Sequence, residues 1–247
     1  MNKIIVLAAG KGIRMNSDLP KALVPLAGKP IVEHLLKAVK YSGVNIKPIL
    51  VVSPDNKKII QEALSEYGCE YAIQKEQLGT GHAVSVACGF IDEQTDKVVV
   101  FYGDHPFVKP DTIKKLFEIH KGVITMMTAK VPDFNDWRHS FLHWGRIVRD
   151  KQNKIKAIVE FKDATVEQKE IKEINPSFFC FDGQWLKENI KKLKNENNAK
   201  EYYLTDMVSI ASLQGHEIND LLIDVNEVMG INSVEEIKLA EKLLEKK

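Results

Sequence analysis

Cysteine is scarce in this chain. Only three cysteines occur in 247 residues, Cys69, Cys88 and Cys180, and none of them form a Cys-x-x-Cys spacing. This usage is typical of reduced thiols in a cytoplasm rather than of a disulfide framework. We therefore expect a cytoplasmic protein.

Long apolar runs and an excess of one charge are also missing. No stretch approaches the ~20 apolar residues that cross a bilayer. The 35 basic residues are balanced by 34 acidic ones, which leaves a formal net charge of +1. These absences predict neither a membrane partner nor a nucleic-acid partner. With 44% hydrophobic residues, the chain has enough apolar material to bury a full globular core.

Strand-like and helix-like segments alternate through the first half of the chain. Short β-branched apolar runs predict strands at 3–8, 48–53, 70–74 and 97–102. Apolar residues at helical spacing predict helices near 31–39 and 59–67. This alternation is typical of a parallel sheet with right-handed crossovers, in which ligands bind at the carboxyl ends of the strands.

The pattern changes after residue 122. Consecutive strands are predicted at 123–131, 145–149, 155–160 and 174–181, which favours a mixed or antiparallel extension of the sheet. Further helices are predicted at 83–90, 184–193, 204–213 and about 233–246. With no repeat and no linker, we expect a single domain over 1–247.

A glycine loop follows the first predicted strand. Gly10 and Gly12 allow backbone N–H groups to approach a ligand closely, and Lys11, Arg14 and Lys21 supply positive charge for phosphates. The dinucleotide fingerprint needs a third glycine at position 15, where methionine stands, and a Walker A loop needs Gly-Lys-Ser/Thr, which is absent here. The loop therefore predicts a triphosphate site of another geometry.

Two more strand exits carry functional candidates. Residues 74–83 read Gln-Lys-Glu-Gln-Leu-Gly-Thr-Gly-His-Ala, which places a glycine pair at a helix N-terminus, where free N–H groups bind anions or bases; simple helix capping by Thr80 is the alternative. Asp104 follows the most apolar strand, and a carboxylate there is typical of a Mg²⁺ ligand. The alternative for Asp104 is a turn role before Pro106.

These motifs together resemble the sugar-1-phosphate nucleotidyltransferase family. The matching segments are Leu-Ala-Ala-Gly-Lys-Gly-Ile-Arg-Met with a following Pro-Lys, the segment at 74–83, and Tyr-Gly-Asp-His-Pro at 102–106. Weaker matches at 144–147, 158–165, 173–175, 197–206 and 230–232 follow in the same order. The likeness covers 3 to about 232 and is closest to the uridyltransferase domain of the bacterial bifunctional N-acetylglucosamine-1-phosphate enzymes.

The resemblance implies a fold, a reaction and a set of site residues. It implies a Rossmann-like, mainly parallel α/β sheet flanked by helices, with a mixed or antiparallel sugar-binding extension. It implies Mg²⁺-dependent transfer of UMP from UTP to a sugar 1-phosphate, most closely N-acetylglucosamine 1-phosphate. The implied residues are Arg14 and Lys21 for catalysis; Leu7, Ala8, Ala9, Gly10, Gly12, Gln74, Gly79 and Thr80 for the nucleotide; Tyr102, Gly103, Gly145, Glu160 and Asn175 for the sugar; and Asp104 and Asn232 for the metal.

The chain also departs from the family pattern. Ile13 replaces the usual threonine, Pro176 and Ser177 stand where Thr-Gly is usual, and an apparent insertion occupies 134–143. The histidines at 139 and 143 have the spacing of a zinc pair on a helix, but exposed loop histidines are the favoured interpretation. The sequence ends where the hexapeptide-repeat acetyltransferase domain of the bifunctional enzymes would begin, so we expect no acetyl transfer.

Alternatives remain open at this point. The chain could use another hexose 1-phosphate or another nucleoside triphosphate, as a guanylyl- or cytidylyltransferase of the same fold would. From a different class, it could be a non-catalytic sensor of a nucleotide sugar. Pyrophosphate release from each nucleoside triphosphate in turn separates these readings.

Overall fold

The computed structural model describes residues 1–10, 12, 15 and 17–244. The strands are β1 (Lys3–Leu7), β2 (Pro25–Leu26), β3 (Lys29–Pro30), β4 (Pro48–Val52), β5 (Glu70–Ile73), β6 (Lys97–Tyr102), β7 (Ile124–Lys130), β8 (Arg146–Arg149), β9 (Ile155–Val159), β10 (Glu173–Ile174), β11 (Phe179–Asp182) and β12 (Ile218–Leu222). The α-helices are α1 (Ile31–Tyr41), α2 (Lys57–Ala63), α3 (Thr80–Ala87), α4 (Pro110–Ile119), α5 (Val166–Lys169), α6 (Gly183–Asn189), α7 (Asp206–Leu213) and α8 (Val234–Leu244).

Ten of the strands form one sheet, in the order β5-β4-β1-β6-β11-β7-β10-β8-β9, and β12 pairs with β7. The first four strands of this order are parallel. β11 is antiparallel to both of its neighbours, and β8, β9 and β10 continue the antiparallel pairing. The predicted fold class, a mainly parallel sheet with a mixed extension, is confirmed.

Helices cover both faces of the sheet because the central strands are apolar on both sides. In β1, Ile4 and Val6 pack on the face that α1 covers through Leu35, whereas Ile5 packs on the opposite face beside Val84 of α3. Successive strand residues point to opposite faces, so an uninterrupted apolar run is what a doubly covered strand requires. This packing holds the strand ends in fixed positions.

The predicted insertion at 134–143 folds onto the body of the protein. Residues Asp136–His143 form a 3₁₀-helix whose Phe141 is buried in the same apolar cluster as Met229 and Ala240. Both His139 and His143 are exposed. A 3₁₀-helix brings residues i and i+3 onto one face, so the i, i+4 pair does not align as it would on an α-helix.

Several element boundaries were predicted wrongly. The strand predicted at 174–181 is two strands, β10 and β11, because Pro176 lacks an N–H and Ser177 adopts a left-handed φ of 65°. The helices predicted at 59–67 and 83–90 end in 3₁₀ turns, and the one at 204–213 begins only at Asp206. Helix α4 and strand β12 were not predicted. The longest helices in the described part of the chain have 11 residues, and none is suited to span a membrane.

Candidate active site

The parallel strands β1, β5 and β6 end at one edge of the sheet, and two cavities open there. The larger has a volume of about 310 Å³ and the smaller of about 190 Å³. Both are lined by Tyr102, the last residue of β6, and by Asp104 two positions later. The two cavities therefore meet at the end of β6.

Most residues predicted to bind the nucleotide line the larger cavity. They are Leu7, Ala8, Ala9, Gly10, Gln74, Gly79 and Thr80, and Lys21 and Gly103 lie beside them. Gly12 is not among the lining residues. It adopts a φ of 63°, and a Cβ atom there would lie 2.9 Å from the Cβ of Lys21, so Gly12 packs against that lysine. The other two predicted cations, Lys11 and Arg14, lie outside the described residues.

The turn at Gly79 is held by the segment around Tyr202. Gly79 has a φ of 106°, and a Cβ atom there would lie 2.7 Å from the carbonyl oxygen of Tyr202. The same oxygen accepts a 2.7 Å hydrogen bond from Gly81 N, and the Thr80 hydroxyl accepts one from Leu204 N at 3.0 Å. Only glycine fits at position 79, and the N-terminus of α3 is thereby fixed at the cavity wall.

Gln74 is the buried polar side chain of the larger cavity. It is 4% exposed. Its Nε2 lies 3.2 Å from Gly79 O and 3.1 Å from His82 Nδ1. The amide is therefore held in one orientation by two groups of the α3 segment.

Lys21 joins the two predicted metal ligands. Its ammonium donates to Asp104 Oδ2 and, at 2.7 Å, to Asn232 Oδ1. Burial alone raises the pKa of the Asp104 carboxyl, but the nearby charge of Lys21, with a smaller share from His105, holds that pKa well below its usual range. The oxygens of Asp104 and Asn232 thus converge on one cation. The ammonium occupies the place of such a cation, and one carboxylate plus one amide oxygen is a donor set that suits Mg²⁺.

His105 was not singled out by the sequence analysis. It is buried, and its ring packs edge-on to Phe178 with 4.9 Å between the ring centroids. Its Nδ1 lies 2.9 Å from Asp104 Oδ1, but the angles between the two groups do not allow a hydrogen bond. A Cβ atom at Gly230 would lie 3.0 Å from its Nε2. The imidazole therefore packs against both the Asp104 carboxylate and Gly230, and the two loops are also joined by a 2.9 Å hydrogen bond from Ile231 N to Asp104 O. The sequence signal that could have identified His105 is its position between an aspartate and a proline at the end of an apolar strand.

Besides Tyr102, three predicted sugar residues line the smaller cavity, each at the end of a neighbouring strand. They are Gly145, Glu160 and Asn175, and Asn232, His143 and Trp144 complete that wall. A Cβ atom at Gly145 would lie 2.8 Å from Ile158 Cγ2 and 3.4 Å from both carboxylate oxygens of Glu160. Gly145 therefore leaves room for this carboxylate at the cavity wall.

Glu160 is a carboxylate with a shifted pKa at the wall of the smaller cavity. Burial raises its pKa, and the Thr205 hydroxyl partly opposes this by donating to Oε1 at 2.9 Å. Thr205 belongs to the Leu-Thr-Asp segment that the sequence analysis matched without giving it a role. A buried carboxylate with spare acceptor capacity can bind ligand hydroxyl groups.

Asn175 is tied to the residue that departs from the family pattern. Its Oδ1 accepts from Ser177 N at 2.9 Å, and its Nδ2 donates to Ser177 Oγ at 3.1 Å. The hydroxyls of Ser177 and Thr80 also interact with the Tyr102 phenol, whose pKa burial raises. Tyr102 thus contacts groups from both cavities.

The chain matches a known protein family. A family model described as the MobA-like NTP transferase domain matches residues 4–193. Bifunctional protein GlmU from Clostridium botulinum (strain Kyoto / Type A2) is 36% identical over 100% of this chain and 52% of its own length. The protein of the same name from Clostridioides difficile (strain 630) is 39% identical over 99% of this chain and 52% of its own. This chain spans about half the length of the curated relatives it matches.

Two solved structures share the fold. The 4-diphosphocytidyl-2C-methyl-D-erythritol synthase from Anaerococcus prevotii DSM 20548 superposes with a TM-score of 0.70 at 18% identity, covering 99% of this chain and 96% of that one. A structure from Bacillus anthracis assigned as a glucose-1-phosphate thymidylyltransferase, in complex with sucrose, gives a TM-score of 0.74 at 17% identity over 98% and 95%. Identities this low show the fold alone. The family model, and the relatives that match this chain over its full length, confirm the resemblance drawn from the motifs. The chain belongs to the MobA-like NTP transferase domain family and is an enzyme of the nucleotidyltransferase class.

Proposed function

We propose that this chain transfers UMP from UTP to a sugar 1-phosphate, most closely N-acetylglucosamine 1-phosphate, with Mg²⁺ as the cofactor. The observation that carries the proposal is the junction of two cavities at Tyr102 and Asp104. A reaction between two phosphorylated substrates needs such a junction, because the attacking oxygen and the α-phosphorus must be held in contact. The products are a UDP-sugar and pyrophosphate.

The larger cavity suits the nucleotide and the smaller one suits the sugar. The loop Ala8–Ala9–Gly10 and the N-terminus of α3 bring backbone donors for phosphates and base. Glu160 and Asn175 bring side-chain acceptors and donors for sugar hydroxyl or amide groups. The other predicted nucleotide and sugar residues keep their predicted roles, with Gly12 acting through its packing on Lys21, whereas Gly103, predicted for the sugar, lines the larger cavity instead.

The residues present fit charge stabilisation rather than nucleophilic catalysis. An oxygen of the sugar phosphate attacks the α-phosphorus of UTP, and the bond to the β-phosphate breaks with its electrons going to pyrophosphate. Lys21 lies at the junction, where its ammonium can neutralise charge on the phosphates. Arg14 keeps the same role by its place in the motif. Asp104 and Asn232 would hold Mg²⁺, which supplies further neutralisation of phosphate charge when bound.

A second acceptor is favoured by one observation. The Asn175 Nδ2 donates to the hydroxyl of Ser177, a group that is missing where the resembling family shows glycine. An amide held in this way has less capacity for the sugar. Glucose 1-phosphate or another hexose 1-phosphate is therefore the alternative acceptor.

Pyrophosphate release tests the proposal. The purified chain is given UTP, CTP, GTP or dTTP with N-acetylglucosamine 1-phosphate, glucose 1-phosphate or no acceptor, with and without Mg²⁺. We expect release with UTP that depends on both the acceptor and the metal. Nucleotide-sugar binding without any turnover would instead identify a sensor, and equal rates with GTP would end the uridyl assignment.

A further inference from the structure

We propose that His82 is a positioning residue for base selection, which acts by holding the Gln74 amide with its oxygen toward the nucleotide. His82 is not among the residues that line the larger cavity; it lies behind Gln74, which does line it. This proposal rests on the proposed function, because it concerns the base of the same nucleotide.

The orientation of the Gln74 amide follows from its two partners. A carbonyl oxygen can only accept, so the amide atom that faces Gly79 O at 3.2 Å must be the NH₂ nitrogen. The second hydrogen of that NH₂ group points to His82 Nδ1 at 3.1 Å. Both donors of the amide are then used, and His82 must carry its own proton on Nε2.

The remaining atom of the amide is an acceptor. Gln74 is buried, and none of the described residues donates a hydrogen bond to its Oε1. The nucleotide cavity therefore meets a fixed carbonyl oxygen at this point, instead of an amide that can turn to offer either group. A fixed acceptor requires a donor from the ligand, since a buried acceptor without a partner is costly.

Uracil and cytosine differ at the edge of the base that would face this oxygen. The ring nitrogen N3 of uracil carries a hydrogen between two carbonyl groups, whereas N3 of cytosine carries a lone pair. A fixed acceptor binds the uracil N3–H and repels the cytosine nitrogen in the same position. Cytosine has to shift to bring its amino group to the same oxygen. The pair of Gln74 and His82 thus favours UTP over CTP.

Removing the acceptor at His82 should relax this preference. The His82→Leu variant leaves Gly79 O as the sole described partner of the amide, so the amide turns more easily. We expect the ratio of kcat/KM for UTP to kcat/KM for CTP to fall by about fivefold, the value of one net hydrogen bond. The change should appear mainly in KM, since the transferring phosphates are untouched.

A conservative variant separates positioning from a general packing effect. His82→Asn places an amide oxygen near the position of Nδ1 and should restore the wild-type ratio, whereas His82→Ala should behave like His82→Leu. Ser85→Ala is the matched control on α3, because the Ser85 hydroxyl donates to the backbone oxygen of His82 and not to the Gln74 amide. Both nucleotides are measured on one sample, so a partly unfolded variant still reports its ratio.

The outcomes distinguish this proposal from the proposed function. A wild-type enzyme without preference for UTP over CTP overturns the uridyl assignment and the role of His82 with it. A wild-type preference that His82→Leu and His82→Ala both retain overturns the role of His82 alone. A lowered ratio that His82→Asn fails to restore shows a packing effect and also overturns the positioning role.

Discussion

The two cavities that meet at the end of β6 are built from the chain in different ways. The larger cavity is lined by short motifs at the ends of parallel strands, in which residues adjacent in sequence, such as Gly79 and Thr80, line the same wall. The smaller cavity collects Gly145, Glu160 and Asn175 from the ends of three different strands. Antiparallel pairing sets these three side by side, since Ile174 pairs with Arg146 and Arg146 with Val159.

We call the larger cavity, proposed for the nucleotide, the nucleotide half of the site, and the smaller cavity, proposed for the sugar, the sugar half. The difference in construction makes the two halves unequal in how they tolerate substitutions. Each nucleotide motif is held by contacts within a few residues or by one partner segment, as at Gly79. The sugar half depends on strand register and on loops between strands, such as the one that contains Pro176 and Ser177. We therefore expect departures from the family pattern to alter the choice of sugar before they alter the use of the nucleotide.

The largest expected effect belongs to Asp104, a residue that both cavities share. Asp104→Ala should lower kcat on the order of 10²-fold or more, because it removes charge that is already positioned for the metal and for Lys21. Thermal unfolding should show that the variant stays folded, since the residue lies at a strand end. Exposed Glu118→Ala serves as the control. Near wild-type activity of Asp104→Ala in Mg²⁺ would contradict the metal site.

A second prediction sharpens the nucleotide half. Wild-type enzyme should favour UTP over CTP and GTP by at least about tenfold in kcat/KM, and Gln74→Leu should remove most of that preference. Its KM for the sugar phosphate should stay the same. Gln77→Leu is the matched control, because Gln77 lines the same cavity but donates to Ala9 O. An unchanged ratio in Gln74→Leu would locate base selection elsewhere.

A third prediction addresses the sugar half. Replacing Pro176-Ser177 with Thr-Gly frees the Asn175 amide from the Ser177 hydroxyl. We expect the preference for N-acetylglucosamine 1-phosphate over glucose 1-phosphate to rise by about tenfold, with the KM for UTP unchanged. A panel of sugar 1-phosphates measures this. The same preference before and after the replacement would show that the departure is silent.

The smallest expected effect concerns stability in the sugar half. Burial raises the pKa of Glu160 in the folded protein. The free energy of unfolding therefore decreases as the pH rises from the ordinary pKa of a glutamate through this folded pKa. Glu160→Gln avoids that decrease and keeps an oxygen for Thr205, so its Tm should exceed the wild-type Tm by about 2–4 °C at neutral pH. The difference should vanish in acid, below the ordinary range of a glutamate. A difference that is constant with pH would contradict the burial argument; exposed Glu118→Gln is the control.

The sequence predicted more of the nucleotide half than of the sugar half. The strand β1, Gly10 after it and the segment at Gln74 are local patterns, and they lie where strand–helix alternation places them. The break at Ser177 was missed because apolar residues on both sides resemble one strand. The strand β12 was missed because its sequence, Ile-Asn-Asp-Leu-Leu, has no two-residue alternation, and it is completed only by pairing with β7.

Side-chain partners were the least accessible from sequence. The ammonium of Lys21 lies between Asp104 and Asn232, which are separated from it by 83 and 211 positions. The link from Thr205 to Glu160 spans 45 positions. Contacts of this range follow from sheet order rather than from any motif, so only the structure could supply them.

The central claim is that two phosphorylated substrates react where the cavities meet. The direct test supplies UTP labelled at its α-phosphorus together with N-acetylglucosamine 1-phosphate or glucose 1-phosphate and Mg²⁺. We predict that the label appears in a UDP-sugar, with one pyrophosphate released for each molecule formed. Label recovered as UMP, or remaining in UTP with every sugar 1-phosphate supplied, would contradict the account.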